Sequence, residues 1–218
     1  MPIIPPKNAI LQRDKQTYAI VPRIPGGLLL RDHLQSISRV VDKYDIPIVK
    51  ITSGQRIALV GIEEKDLDAI YRDLDMDPGR ASELCLHYVQ SCPGTEVCKF
   101  GIQDSLGFGI LIETTLANIE LPAKLKIGVS GCQFCCAESF VRDIGLVGKK
   151  NGWTVIFGGH SGNRPRIGDI IGTDLAKEDA LELLRRCIDY YCTNGRKKER
   201  ASRFIERIGV ELFKQAVI

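Results

Sequence analysis

The sequence predicts an α+β fold in two parts, and three observations predict it. Short runs of period-two alternation are interleaved with apolar stripes of helical period, Asp77-Pro78-Gly79 interrupts the pattern, and two helical stretches close the chain. The expected parts are residues 1–80 and 81–218. In the first, Tyr18 to Ile24 alternates as a strand, Gly26-Gly27 turns, and Leu30, Leu34, Ile37 and Val41 form a helical stripe that stops before Pro47. Ile48 to Thr52 and Ile57 to Ile62 read as two further strands, and a short helix passes through Leu67, Ile70 and Tyr71. The second part opens with a strand from Leu84 to Val89. A helical pattern around Leu111 to Ile119, a strand from Lys124 to Val129, a short segment after Cys136 and a strand from Thr154 to Phe157 follow. In the closing helices Ala180, Leu183, Leu184, Cys187, Ile188 and Tyr191 recur at helical spacing, which makes Cys187 a core residue. Cys85, inside an apolar run, and Cys192, near the helix end, read the same way.

Composition narrows the function classes. A chain of 218 residues that is 44% hydrophobic buries a sizeable core in one large or two small domains. No charged start followed by an apolar stretch and a cleavage site is visible, and no apolar run approaches membrane-spanning length, so a soluble cytoplasmic protein is expected. Eight cysteines without a secretion signal point to reduced thiols used for metal or redox chemistry. A net charge of +3 with 6% aromatics carries no nucleic-acid signature. Gly107-Phe108-Gly109 lacks the third glycine of a dinucleotide loop, and His33, His87 and His160 are isolated, reading as packing or surface residues.

The chemistry lies in the cysteines. Cys92 with Cys98 and Cys132 with Cys136 form C-x5-C and C-x3-C pairs, each in a glycine-bearing turn beside a predicted strand. A [4Fe-4S] cube needs thiolates converging from different directions, which two separated pairs supply. A tetrahedral zinc site using Cys132, Cys135, Cys92 and Cys98 is the alternative on residue types alone.

Ser130-Gly131-Cys132-Gln133-Phe134-Cys135-Cys136, followed by Ile144-Gly145-Leu146-Val147-Gly148-Lys149, resembles the siroheme and iron-sulfur domain of the sulfite and nitrite reductase hemoproteins. The likeness extends to Gly158-Gly159 and back into the first third of the chain. It implies a ferredoxin-like half-domain followed by a siroheme/[4Fe-4S]-binding α+β domain. It also implies a cluster held by Cys92, Cys98, Cys132 and Cys136, with Cys136 bridging to the siroheme iron, and leaves Cys135 as a bystander where the family has a small residue. The implied activity is six-electron reduction of sulfite to sulfide, with nitrite reduction and non-catalytic electron transfer as alternatives.

Sulfite and nitrite are small oxyanions, so substrate residues should be cations. Lys124 and Lys126 share one face of a predicted strand, which alone would suit a solvated surface; the family sets its paired substrate lysines in this proline-basic-x-basic context. Arg23 matches the arginine before the family's Pro-Gly-Gly turn. At Gly54 the chain lacks a family arginine, and Arg56, two residues on, would reach the same side if the segment were extended. In the loop Gly158 to Arg166, the residues Asn163, Arg164 and Arg166 would grip siroheme carboxylates, although a surface hairpin with solvated arginines looks similar. A separate electron-donor protein is implied. Larger relatives carry two copies of this half-domain pair, so a single copy implies either a homodimer or a more open site within one chain.

Overall fold

The computed structural model describes residues 6, 8–79, 84–117 and 119–218. The chain divides into two compact units, Met1–Glu83 and Leu84–Ile218. The boundary expected between residues 80 and 81 lies outside the described residues, as does residue 118 of the helical pattern expected up to Ile119.

In the first unit β1 (Ile10–Leu11), β2 (Tyr18–Ile20), β3 (Ile48–Ile51) and β4 (Ile57–Ile62) form an antiparallel sheet in the order β1-β2-β4-β3. Helices α1 (Arg31–Lys43) and α2 (Leu67–Leu74) bury Ile37, Val40, Leu67, Ile70 and Leu74 against Tyr18, Ile20, Leu59 and Ile62. The first strand is shorter than its alternation suggests. Beyond Ile20 the backbone enters the 3-10 turn Pro25–Gly27, where Gly26 and Gly27 take positive φ, a region open to glycine at little cost.

The second unit is a five-stranded sheet in the order β5-β6-β7-β8-β9, formed by β5 (Leu86–Ser91), β6 (Leu125–Ser130), β7 (Ile144–Lys149), β8 (Gly152–Phe157) and β9 (Asp169–Leu175). The β5–β6 and β6–β7 pairs are parallel, and β7–β8 and β8–β9 are antiparallel. Strand β7 replaces the undefined segment expected after Cys136. It is buried on both faces, so it shows an unbroken apolar run instead of alternation. Strand β9 was not expected at all; it pairs with β8 through shifted register and leaves most of its residues partly exposed.

Helix α3 (Ser105–Leu116) begins six residues before its apolar pattern suggests, because the Asp104 carboxylate accepts from the Gly107 amide at 2.7 Å and caps it. The chain closes with α4 (Lys177–Asn194), α5 (Ala201–Ile208) and α6 (Val210–Val217). Three helices stand where two were expected, since Gly209 at φ 86 breaks the last stretch.

The sheet's two faces differ. On one, Ile127, Val129, Ile144, Leu146, Trp153, Val155 and Phe157 pack with α3 to α6 into the main core. Cys187 lies fully buried there, and burial pushes its thiol up to about 12, as a small apolar core residue should behave. On the other face lie Tyr88, Gln90, Lys126, Gly128 and Gly145, and over them crosses the segment 137–143. Glycine is required for that crossing. A Cβ at Gly128 would meet the Ala137 carbonyl at 2.5 Å, and one at Gly145 would run into the Ser139 backbone.

Candidate active site

Both cysteine loops project from the ends of parallel strands, and glycines bring them together. Cys92 follows β5 and Cys132 follows β6; a Cβ at Gly131 would stand 2.9 Å from the Gly94 Cα. The Gly131 amide donates to Cys92 Sγ at 3.1 Å, and the Ser105 hydroxyl lies 3.1 Å from the same sulfur while donating to the Cys92 carbonyl at 2.8 Å. Amide donation to sulfur stabilises a thiolate. The Cys98 amide donates to the Gly94 carbonyl, closing a turn that carries the second cysteine back toward the first. Cys132 is buried, Cys92, Cys98 and Cys135 are half-buried and Cys136 is exposed.

Partial burial raises the Cys136 thiol, and the negative charge of Cys92, Cys132, Cys98 and Cys135 raises it further, in that order. The four expected ligands and Cys135 therefore share one neighbourhood. Among the described residues, no three His, Cys, Asp or Glu side chains are gathered tightly enough for a single metal ion. A zinc ion needs every sulfur about 2.3 Å from one point, whereas a cube takes one thiolate at each of four separated corners. The more open thiol set fits the cluster better than the ion. Cys135 sits at φ 55, in the left-handed region, as part of the tight turn between Cys132 and Cys136.

From Cys136 the chain runs back along the sheet toward the cations. The Ala137 amide donates to Ser130 Oγ at 3.1 Å, and Ser139 Oγ, 2.9 Å from Ser130 Oγ, donates to the Leu146 carbonyl. This pins the crossing. It delivers Arg142, only 4% exposed, onto β5, where its guanidinium donates to Tyr88 Oη at 3.0 Å, Gln90 Oε1 at 2.5 Å and Glu138 Oε2 at 2.6 Å. Next to it the buried Asp143 accepts from the Lys126 amide and takes a two-pronged pair from Arg200, at 3.1 and 2.6 Å. Burial pushes the Asp143 carboxyl up, with Arg200 and the Lys126 amide pulling against it.

A cavity of about 130 Å³ opens here, lined by Lys126, Val141, Arg142, Asp143, Arg200 and the stretch Gly159 to Gly162 with His160. The Lys126 ammonium and the Arg142 guanidinium each lie 5.7 Å from the Tyr88 ring centroid. Burial lowers the Lys126 pKa, and Arg200, Arg142 and Lys124 lower it further against Asp143. His160 is lowered by burial, then by Arg200, with Lys126 and Arg203 acting the same way against Asp143.

Of the expected site residues, Cys92, Cys98, Cys132 and Cys136 come together, and Lys126 enters the cavity. Lys124 lies one residue before β6, close enough to influence Lys126. Arg23, in the first unit, is ion-paired to Asp77 at 3.0 Å. The route proposed for Arg56 does not hold. The Gln55 amide donates to the Thr52 carbonyl and the Thr52 amide to the Arg56 carbonyl, so residues 52–56 form a tight turn and not an extended segment, and Arg56 is buried within it.

Residues 158–168 form a hairpin closed by the reciprocal backbone pair of His160 and Arg166, at 2.9 and 2.8 Å. Asn163 and Arg164 are exposed at its tip, Arg164 3.7 Å from Glu206. Arg166 holds the hairpin base through the Gly158 carbonyl at 3.0 Å and Asp169 at 2.6 Å. Arg142, Asp143 and Arg200, none of them singled out by a motif, line the cavity together with His160, expected as a packing or surface residue. The usable signal was a charged pair set directly against the apolar run of β7.

Residues 83–218 match the family model for the nitrite and sulphite reductase 4Fe-4S domain, and residues 10–77 that for the nitrite/sulfite reductase ferredoxin-like half domain. The chain belongs to the nitrite and sulfite reductase family. It is therefore an oxidoreductase with the fold of that family. An assimilatory-type sulfite reductase of Nitratidesulfovibrio vulgaris is 55% identical over 213 residues, covering 98% of each chain. A nitrite reductase [NAD(P)H] of Bacillus subtilis is 40% identical over 203 residues, 93% of this chain but 25% of that one. Among solved structures, dissimilatory sulfite reductase I superposes with a TM-score of 0.82 at 14% identity, over 92% of this chain and 69% of the other. The NirA protein of Mycobacterium tuberculosis gives 0.81 at 18% identity, over 92% and 40%. These two share the fold. No helix among the described residues is long and apolar enough to cross a membrane.

Proposed function

We propose that the chain reduces sulfite to sulfide, using siroheme coupled to a [4Fe-4S] cluster. One observation supports this reading: the cysteine neighbourhood at the ends of β5 and β6 and a cation-lined cavity are joined by the seven-residue crossing 137–143. The 55% identity to an assimilatory-type sulfite reductase along nearly the whole length of both chains favours sulfite. Nitrite is the second reading, favoured by the 40% identity to a nitrite reductase.

In this reading residues 1–80 are the half-domain and 81–218 the cofactor domain. Cys92, Cys98, Cys132 and Cys136 would hold the cluster, and the exposed Cys136 would be the thiolate shared with the siroheme. When bound, siroheme would supply the iron at which the substrate is reduced and the cluster would relay to it the electrons of an external donor. The second unit's own cations, Lys126 and Lys124, neutralise the oxyanion and stabilise negative charge as it develops. The hairpin residues Asn163 and Arg164 would hold siroheme carboxylates, and Arg166 holds the hairpin in place. Electrons come from a separate donor protein, the location is cytoplasmic, and the site is either completed by a homodimer or more open and built within one chain.

The test is a visible spectrum with iron and acid-labile sulfide analysis on anaerobically purified protein, followed by sulfide assay with an artificial low-potential donor. Siroheme absorbance, a four-iron stoichiometry and sulfide production are expected. Bound zinc, or both cofactors without turnover of sulfite or nitrite, would overturn the reading.

A further inference from the structure

We propose that the cavity between the start of β6, the crossing 137–143 and the Gly159–Gly162 loop is an oxyanion pocket, held by Arg142, Arg200 and His160 together with Lys126, and that its anion is sulfite. The inference rests on the sulfite reductase reading and names residues beyond the lysine pair and the arginines that the family resemblance supplied.

Size comes first. A volume of about 130 Å³ is that of about four waters at ~30 Å³ each. It admits a pyramidal oxyanion and a water, and excludes a tetrapyrrole. Charge comes second. The lining brings three fixed cations, Lys126, Arg142 and Arg200, against one carboxylate, Asp143. Glu138 answers Arg142 from outside the lining at 2.6 Å. Three cations against two acids leave one positive charge in a site where Arg142 is 4% exposed. Glu138 pairs with Arg142 and Asp143 with Arg200, so the excess charge is that of the half-buried Lys126, and an oxyanion would offset it.

Hydrogen-bonding capacity comes third. Arg142 Nε is buried and makes no hydrogen bond, while Nη1 of the same guanidinium donates to Tyr88 and Nη2 to Gln90 and Glu138. The head group is thus locked in orientation with a donor left over. Asp143 does the same for Arg200 by engaging Nε and Nη2. His160 sits at the rim, and glycine at 162 keeps it there, since a Cβ at that position would lie 2.5 Å from the His160 Nε2. Donors held in fixed orientation beside an excess of positive charge are the chemistry of anion recognition.

An oxygen anion could also be a siroheme carboxylate, and the experiment separates the two. Full-chain holoprotein is titrated with sulfite by calorimetry for the parent, Arg200→Gln, Arg200→Lys and His160→Gln, with siroheme absorbance and iron content read on each sample. Arg200→Gln should weaken sulfite binding about 10-fold or more, the scale of one charge-assisted bond, with siroheme content unchanged. Arg200→Lys keeps a cation beside Asp143 and should recover part of that affinity. Arg200→Gln leaves Asp143 buried without its partner, so His160→Gln, with an expected several-fold loss, keeps the test open if the arginine variant misfolds. Parent-like sulfite affinity in both Gln variants would overturn the inference while leaving the parent's turnover, and so the sulfite reductase reading, intact. Loss of siroheme with parent affinity per remaining siroheme would overturn it in favour of a cofactor carboxylate. A parent that neither binds sulfite nor yields sulfide would overturn both.

Discussion

The two faces of the β5–β9 sheet are made by the same strands and obey opposite rules. The helix-covered face is a continuous aliphatic and aromatic layer, in which Phe157 stacks on Phe213 at 4.5 Å and meets Tyr191 and Phe204 edge-on. The face crossed by residues 137–143 has glycines where side chains would be expected and buries Arg142, Asp143 and Gln90 instead. One face spends its contacts on stability. The other holds charged groups in fixed positions by hydrogen bonds, which adds little net stability but fixes where donors point. A residue's face should therefore decide whether its loss is felt in folding or in chemistry.

The largest effect expected is at the thiols. Replacing Cys92, Cys98, Cys132 or Cys136 by Ser should strip the cluster, while Cys187→Ser on the helix-covered face should keep cofactor content and lose only stability through a buried hydroxyl. Iron and acid-labile sulfide assays read both; equal iron loss at Cys187 would erase the contrast. Phe157→Ala comes next, with about 3–5 kcal/mol lost in denaturant unfolding. Gly145→Ala should cost about 1–3 kcal/mol by forcing the Ser139 backbone away. Unlike Phe157→Ala, it should also lower siroheme content in whatever protein remains folded. Unchanged siroheme in folded Gly145→Ala would detach the crossing from the site.

The smallest effect is a pH dependence. His160 is held below its ordinary value by burial and by Arg200, Lys126 and Arg203, opposed by Asp143, in a cavity that also contains Arg142. Below the ordinary histidine value of about 6.5 the unfolded chain takes a proton that the native site refuses. Stability should thus be fully present above that value and fall as pH drops through it. His160→Gln should flatten this part of the melting-temperature profile, and an unaltered slope would assign it to other groups.

The contrast also explains what was legible in the sequence. The helix-covered face follows local rules, so the Ala180 to Tyr191 stripe, and Cys187 within it, could be read from period alone. The thiol spacing, too, is local. Strand β7 was not legible because a strand buried on both sides shows no alternation, and β9 because its register is set by bulges against β8. Arg142 and Asp143 looked like loop charges. Their burial arises only when the crossing lies down on Gly128 and Gly145, from strands distant in sequence. Arg56 failed for a related reason: the turn at residues 52–56 is closed by backbone bonds that residue type did not announce.

The most direct test of the claim that the glycine-floored face is the active site is Lys126→Ala, assayed for sulfide production from sulfite with an artificial low-potential donor while siroheme absorbance and iron content are followed on the same sample. Lys126 lies on that face, lines the cavity and touches neither cysteine loop in the hydrogen-bond pattern. Turnover should fall by about 10²- to 10³-fold, the cost of one preorganised donor, with siroheme and iron at parent levels. Parent-rate sulfide production at full cofactor occupancy would contradict the account.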